Sequence, residues 1–106
     1  MKEMNFIRNE KLSSMFSIEI AEILNEEIRN KRNKNNEKFL VTLIKVCINT
    51  DMNFMKVYIS IYPSFNKKIL EFIRSKSGFY RKLLSQRLRY RVKKIPKLDF
   101  CALIKD

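Results

Sequence analysis

Ser75-Lys76-Ser77-Gly78-Phe79-Tyr80-Arg81-Lys82-Leu83-Leu84 contains Gly78, the only glycine in the chain. Ile69, Phe72 and Ile73 lead up to it at helical spacing, and Phe79, Leu83 and Leu84 resume that spacing after it. A glycine between two such patterns predicts a break between two helices, because glycine alone takes positive φ without a steric cost. Ser77 is placed to cap the second helix, its hydroxyl accepting from a free backbone N–H. In that helix Phe79, Leu83 and Leu88 are expected in the core, and Arg81, Lys82, Arg87 and Arg89 toward solvent. From Arg74 to Lys97 there are ten Lys or Arg and no Asp or Glu. The joint is therefore a helix N-terminus, which favours anions, inside an uninterrupted basic run.

Upstream, Leu12, Phe16, Ile20, Ile23, Leu24 and Ile28 recur at steps of three and four. They predict an amphipathic helix from about residue 9 to residue 28, its apolar stripe toward a core. Met15 and Ile18 widen or flank the stripe. Glu19, Glu22, Glu26 and Glu27 lie off it, facing solvent. An acidic polar face argues against a helix lying on a membrane surface. Residues 29–38 (RNKRNKNNEK) are charged and asparagine-rich and read as a loop, either a solvated connection or a further phosphate contact. Residues 1–8 read as a flexible arm.

Residues 39–48 (FLVTLIKVCI) are rich in β-branched residues and predict a strand with much of both faces covered. Residues 49–53 (NTDMN) predict a turn from their Asn and Asp content. In residues 54–62 (FMKVYISIY) Met55, Val57, Ile59 and Ile61 alternate with Lys56, Tyr58, Ser60 and Tyr62. That is a half-buried strand, antiparallel to the one before it. Pro63 ends it, the two-helix unit follows to about Leu88, and residues 97–104 (KLDFCALI) read as a last strand with Leu98, Phe100 and Ala102 inward. The expected class is α+β, in the order helix, strand, strand, helix, kink, helix, strand.

The chain has 106 residues, which suits one domain spanning 1–106, and 45% of them are hydrophobic. Its 23 basic and 11 acidic residues give a net charge of +12, which points to a polyanionic partner. Cys47 and Cys101, 54 positions apart, match no zinc spacing and read as buried reduced thiols. With no histidine, the usual base for a serine or cysteine nucleophile is missing. No glycine-rich phosphate loop is present. No enzymatic activity, metal or cofactor is expected, and no signal peptide or membrane span is visible, so the expected location is cytoplasmic.

The chain resembles ribosome-binding factor A, a bacterial assembly factor of the small ribosomal subunit. The resemblance rests on Val41-Thr42-Leu43-Ile44-Lys45-Val46 followed by Asp51-Met52, and on Met55-Lys56-Val57-Tyr58-Ile59-Ser60. Its most specific part is Ser77-Gly78-Phe79-Tyr80-Arg81-Lys82-Leu83-Leu84, followed by Leu88-Arg89, Arg91 and Ile95-Pro96-Lys97-Leu98-Asp99-Phe100. It implies a KH-like domain of the second type, a three-stranded sheet backed by helices. One glycine cannot form the GxxG clamp of most KH domains; the family has an Ala-x-Gly kink, which maps to Lys76-Ser77-Gly78. Lys76 replaces that alanine, residues 29–38 replace an Asp-Pro-Arg turn, about two extra residues precede Pro96, and Leu103 stands where the family often has an aspartate.

The resemblance further implies non-catalytic binding to the free small subunit (30S) and its 16S rRNA during late maturation, and a role in cold adaptation. The candidate RNA-binding residues are Arg74, Lys76, Ser77, Gly78, Arg81, Lys82, Arg87, Arg89, Arg91, Lys93 and Lys94, with Arg8 and Lys11 as secondary contacts. Arginine suits bidentate phosphate recognition better than lysine, and five of these eleven are arginines. No small-molecule substrate and no membrane insertion are expected, and the chain is expected to be monomeric off the ribosome. The alternative is a basic protein-interaction module or a peripheral membrane-surface binder using the same charge.

Overall fold

The steps of three and four near the N-terminus do form a helix, and it runs past its apolar stripe. In a computed structural model, which describes residues 10–35 and 38–104, α1 spans Glu10–Asn35. The expected arm and Arg8 lie outside the described residues. The loop expected from residue 29 is instead two further turns of helix. No Gly or Pro stops the chain there, Arg and Lys are good helix formers, and Arg32 and Lys34 in the last turn oppose the helix dipole. Phe16, Ile20, Ile23, Leu24 and Ile28 are buried, and Leu12 and Met15 are partly buried against the same core.

The other elements are β1 (Leu40–Ile48), β2 (Phe54–Tyr62), α2 (Lys67–Ser75), α3 (Ser77–Arg87) and β3 (Lys97–Ala102). They form an α+β fold with a three-stranded sheet in the order β1-β2-β3. β1 and β2 are antiparallel, from Leu40 opposite Tyr62 to Ile48 opposite Met55. β3 runs parallel to β2, which the α2–α3 crossover makes possible. In the turn between β1 and β2 Asn49 is buried, and its Oδ1 accepts from the amides of Asn53 (2.8 Å) and Phe54 (3.1 Å) while Met52 takes φ 58°.

β2 buries Met55, Val57, Ile59 and Ile61, as its alternation predicts. β1 does not have both faces covered. A bulge at Ile44 shifts its register, so Val41 and Leu43 point inward before it and Val46 and Ile48 after it. One extra residue turned a one-sided strand into an apparently continuous apolar run. Cys47 and Cys101 are free thiols, half-buried rather than buried; burial, with the Asp99 carboxylate second, pushes the Cys101 thiol up.

The break between α2 and α3 falls at Lys76, with φ −104° and ψ 10°, and not at Gly78. No glycine has positive φ; Gly78 lies inside the first turn of α3. Ser77 is the first helical residue and caps nothing; α3 has no side-chain cap. α2 is capped by Asn66, whose Oδ1 accepts from Lys68 N (2.9 Å) and Ile69 N (3.3 Å). Among the described residues, a Cβ added at Gly78 meets nothing within 4 Å. Gly78→Ala is therefore expected to stabilise the protein by about 0.5–1 kcal/mol, because alanine restricts the unfolded chain and suits a helix. Urea denaturation measures this, and a loss of stability would contradict the helical backbone at Gly78.

The core-facing stripe of α3 is Tyr80, Leu84 and Leu88, one residue out of phase with the expectation for Phe79. Leu88 is buried as expected, Leu83 is half-buried, and Phe79 is exposed. The Tyr80 ring meets Phe100 edge-on at 5.9 Å, and its hydroxyl is buried with no hydrogen-bond partner among the described residues.

Candidate nucleic-acid interface

The basic residues from Arg74 onward fall into two overlapping groups, with Arg81 and Lys94 in both. Some hold the structure together. Arg74 Nε donates to Phe100 O (3.0 Å) and ties α2 to the edge of the sheet. Arg81 donates to Ile95 O through Nε (3.0 Å) and Nη2 (2.8 Å), anchoring the segment that follows α3. Lys94 Nζ reaches Asn53 Oδ1 at 2.7 Å across the β1–β2 turn.

The acidic face of α1 engages two more, so it is not simply solvated. Lys76 Nζ lies 2.6 Å from Glu27 Oε1, and over the rings of Phe72 and Phe79 at 5.4 and 5.6 Å. Arg87 meets Glu22 at 2.9 Å, Glu19 at 3.3 Å and Glu26 at 3.9 Å. Glu19 and Glu27 are half-buried. Lys76 and Arg87, both candidates from the sequence, thus already have carboxylate partners within the chain.

The second group lines an open groove of about 540 Å³ between α3 and residues 89–95. Arg81, Lys82, Arg89, Lys93 and Lys94 line it, with Gly78 at one end and no carboxylate among its lining residues. Lys82, Arg89 and Lys93 are exposed and make no hydrogen bond or ion pair among the described residues. Ser85 and Gln86 also line the groove, and sequence reasoning missed them. The signal was present: Gly78, Arg81, Lys82, Ser85 and Gln86 recur at spacings of three and four along one face of α3, and Arg89 just beyond it continues the pattern. Arg91 is exposed but stands outside the groove, as does Lys11, exposed in the first turn of α1.

The family model for ribosome-binding factor A matches residues 8–102. The chain belongs to the ribosome-binding factor A family. It is 29% identical over 96 residues to ribosome-binding factor A of Prosthecochloris aestuarii, covering 89% of this chain and 74% of that protein. It is 32% identical over 94 residues to ribosome-binding factor A of Flavobacterium psychrophilum, covering 88% and 70%. The solution NMR structure of a Thermotoga maritima protein, provisionally assigned as a ribosome-binding factor A, has the same fold: TM-score 0.59 at 24% identity, over 84% of each chain. Within this ribosome-binding factor A fold, the groove sits where the two crossover helices deliver the chain to β3. No helix among the described residues is long and apolar enough to cross a membrane.

Proposed function

We propose that this protein binds the free small ribosomal subunit, at its 16S rRNA, during late maturation of that RNA, by docking rather than by catalysis. Membership of the family makes it a ribosome-binding factor. The observation that carries the finer reading is the groove along α3: five cations, no carboxylate, and a backbone left open at Gly78. Closely spaced cations on a rigid helix face suit a phosphate backbone, which positions a protein on RNA before any base is read. The uncapped N-terminus of α3 adds amides of the same preference. On this reading the chain is one KH-like cytoplasmic domain, monomeric off the ribosome, with a role in cold adaptation. The RNA-contacting residues are Gly78, Lys82, Arg89 and Lys93, with Arg81, Lys94 and Arg91 beside them. Arg74, Lys76, Ser77 and Arg87 shape the surface more than they touch RNA.

Sedimentation of cell extract on a gradient tests this. The protein is expected to migrate with free small subunits, and added RNA is expected to compete it from anionic lipid vesicles. Migration away from every ribosomal particle, with lipid binding that RNA does not disturb, would favour the membrane-surface alternative.

A further inference from the structure

β1 is an edge strand, with β2 on one side of it and no strand on the other. Among the described residues no side chain or loop is hydrogen-bonded to its backbone. At the opposite edge of the sheet, by contrast, Arg74 of α2 donates to Phe100 O on β3. Unpaired N–H and C=O groups along an edge are commonly blunted by a charge, a proline or a bulge. The bulge at Ile44 and the charge of Lys45 do this for the second half of β1. Residues 40–43 pair regularly with β2 and carry none of these devices.

Beside that edge an open groove of about 380 Å³ lies between α1 and β1. Ile18 and Ala21 line it from α1, Val41, Leu43 and Ile44 from β1, and no lining residue is charged. Ile18 is 57% and Ile44 48% exposed, so both leave apolar surface in water. The end of the groove where α1 leads into β1 is cationic. Arg29 and Arg32 continue the row of Ala21 and Asn25 at steps of four and three, and Lys38 stands two residues before β1. None of these three cations has a carboxylate partner among the described residues, and Arg32 Nε is buried there without a hydrogen-bond partner. The carboxylates of α1 are turned elsewhere, Glu19, Glu22 and Glu26 to Arg87 and Glu27 to Lys76.

A row of backbone donors and acceptors beside an uncharged apolar groove suits an extended polypeptide, whose main chain pairs with the edge while alternate side chains enter the groove. A phosphate backbone gains nothing from Ile18, Ala21 or Ile44. A second copy set antiparallel would bring its own Lys45 toward Lys38 and add a further +12 of charge. We propose that residues 40–43 take an extended segment of a partner protein as a fourth, antiparallel strand, its apolar side chains in the groove and acidic residues at its C-terminal end against Arg29, Arg32 and Lys38. This site is separate from the groove along α3 and does not rest on the rRNA reading.

The full-length protein is titrated with a synthetic eight-residue peptide of alternating valine and threonine that ends in two aspartates. Two controls accompany it: the same peptide ending in two lysines, and the same peptide N-methylated at every second residue, in both phases, which removes the donors of one edge. The aspartate peptide is expected to bind one to one and to slow hydrogen exchange of the outward amides within residues 40–43, read by NMR. The lysine peptide is expected to bind roughly 10-fold more weakly at low salt. One N-methylated phase is expected not to bind. Ile18→Ser and Arg29→Glu, both at exposed positions, are each expected to weaken the aspartate peptide about fivefold or more, with urea denaturation checking that both variants fold. Absence of amide slowing overturns the proposal, as does equal binding of the lysine peptide or of both N-methylated phases. Slowing of the same amides by RNA alone, or by dimerisation of the chain seen in sedimentation equilibrium, also overturns it and gives the edge another occupant.

Discussion

Leu84→Ala is expected to cost about 2–5 kcal/mol of folding stability, the usual range for emptying a fully buried leucine site. Leu84 is 0% exposed and lies between Tyr80 and Leu88 on the stripe that α3 turns to the core. Phe79→Ala, although it removes more atoms, is expected to shift stability far less, because much of that ring already meets water. Urea denaturation followed by far-ultraviolet circular dichroism separates the two; equal losses would mean that α3 is rotated by one residue. Tyr80→Phe completes the series. It keeps the ring against Phe100 and removes a buried hydroxyl that has no partner among the described residues, so a gain of about 1 kcal/mol is expected. Burial first, and the Glu27 carboxylate second, raise the Tyr80 pKa above its usual 10.0. In the unfolded chain the phenol loses its proton from about that pH upward while the folded protein keeps it. Its contribution is therefore full below pH 10 and is lost as pH rises toward the folded pKa. Tyr80→Phe should remove that part of the alkaline destabilisation.

The parts of the fold that one periodicity decides were legible in the sequence. β2 alternates without exception, and α1 repeats at three and four for five turns. Both were read to within a few residues at the ends that their apolar pattern marks. What was misread is where two patterns compete or where a pattern stops before its element does. The polar stretch after Ile28 has the composition of a loop, but nothing in it breaks a helix, so α1 continues to Asn35. The bulge at Ile44 swaps the faces of β1 halfway, which sequence alone shows only as an unbroken apolar run. At the head of α3, Phe79–Leu83 and Tyr80–Leu84 are both spaced by four. Only Leu88, continuing the second pair, decides which faces inward.

The candidate site was legible as a stretch and not as a surface. Ten basic residues in sequence do not reveal that α1 will lay Glu19, Glu22 and Glu26 against one of them. Their spacing of three and four marks a common face, but which cation that face meets depends on tertiary packing. Gly78 drew attention as a hinge. Its role in the fold is different: it leaves the end of the groove without a side chain, while Lys76 makes the turn.

Replacing Lys82, Arg89 and Lys93 together with alanine is expected to weaken RNA binding on the order of a hundredfold at 0.1 M salt, with stability nearly unchanged. Each phosphate contact to a single strand contributes roughly 0.7 to the slope of log K against log salt. Losing three lowers the slope by about 2, which at 0.1 M salt amounts to about two decades in affinity. All three side chains are exposed and make no hydrogen bond or ion pair among the described residues, so their removal leaves no buried group unpaired. Arg87→Ala should do the reverse. Its guanidinium holds Glu19, Glu22 and Glu26, and without it three like charges share one helix face, one of them half-buried. A loss of about 1 kcal/mol in stability is expected, the upper end for an ion pair near the surface, with the RNA salt slope little changed. The two variants are compared by RNA titration at several salt concentrations and by urea denaturation. Should Arg87→Ala lower the slope as much per residue as the triple variant while keeping full stability, Arg87 contacts RNA and the α1 carboxylates do not hold it. Should the triple variant leave the slope unchanged, the groove is a solvated face and the RNA lies elsewhere.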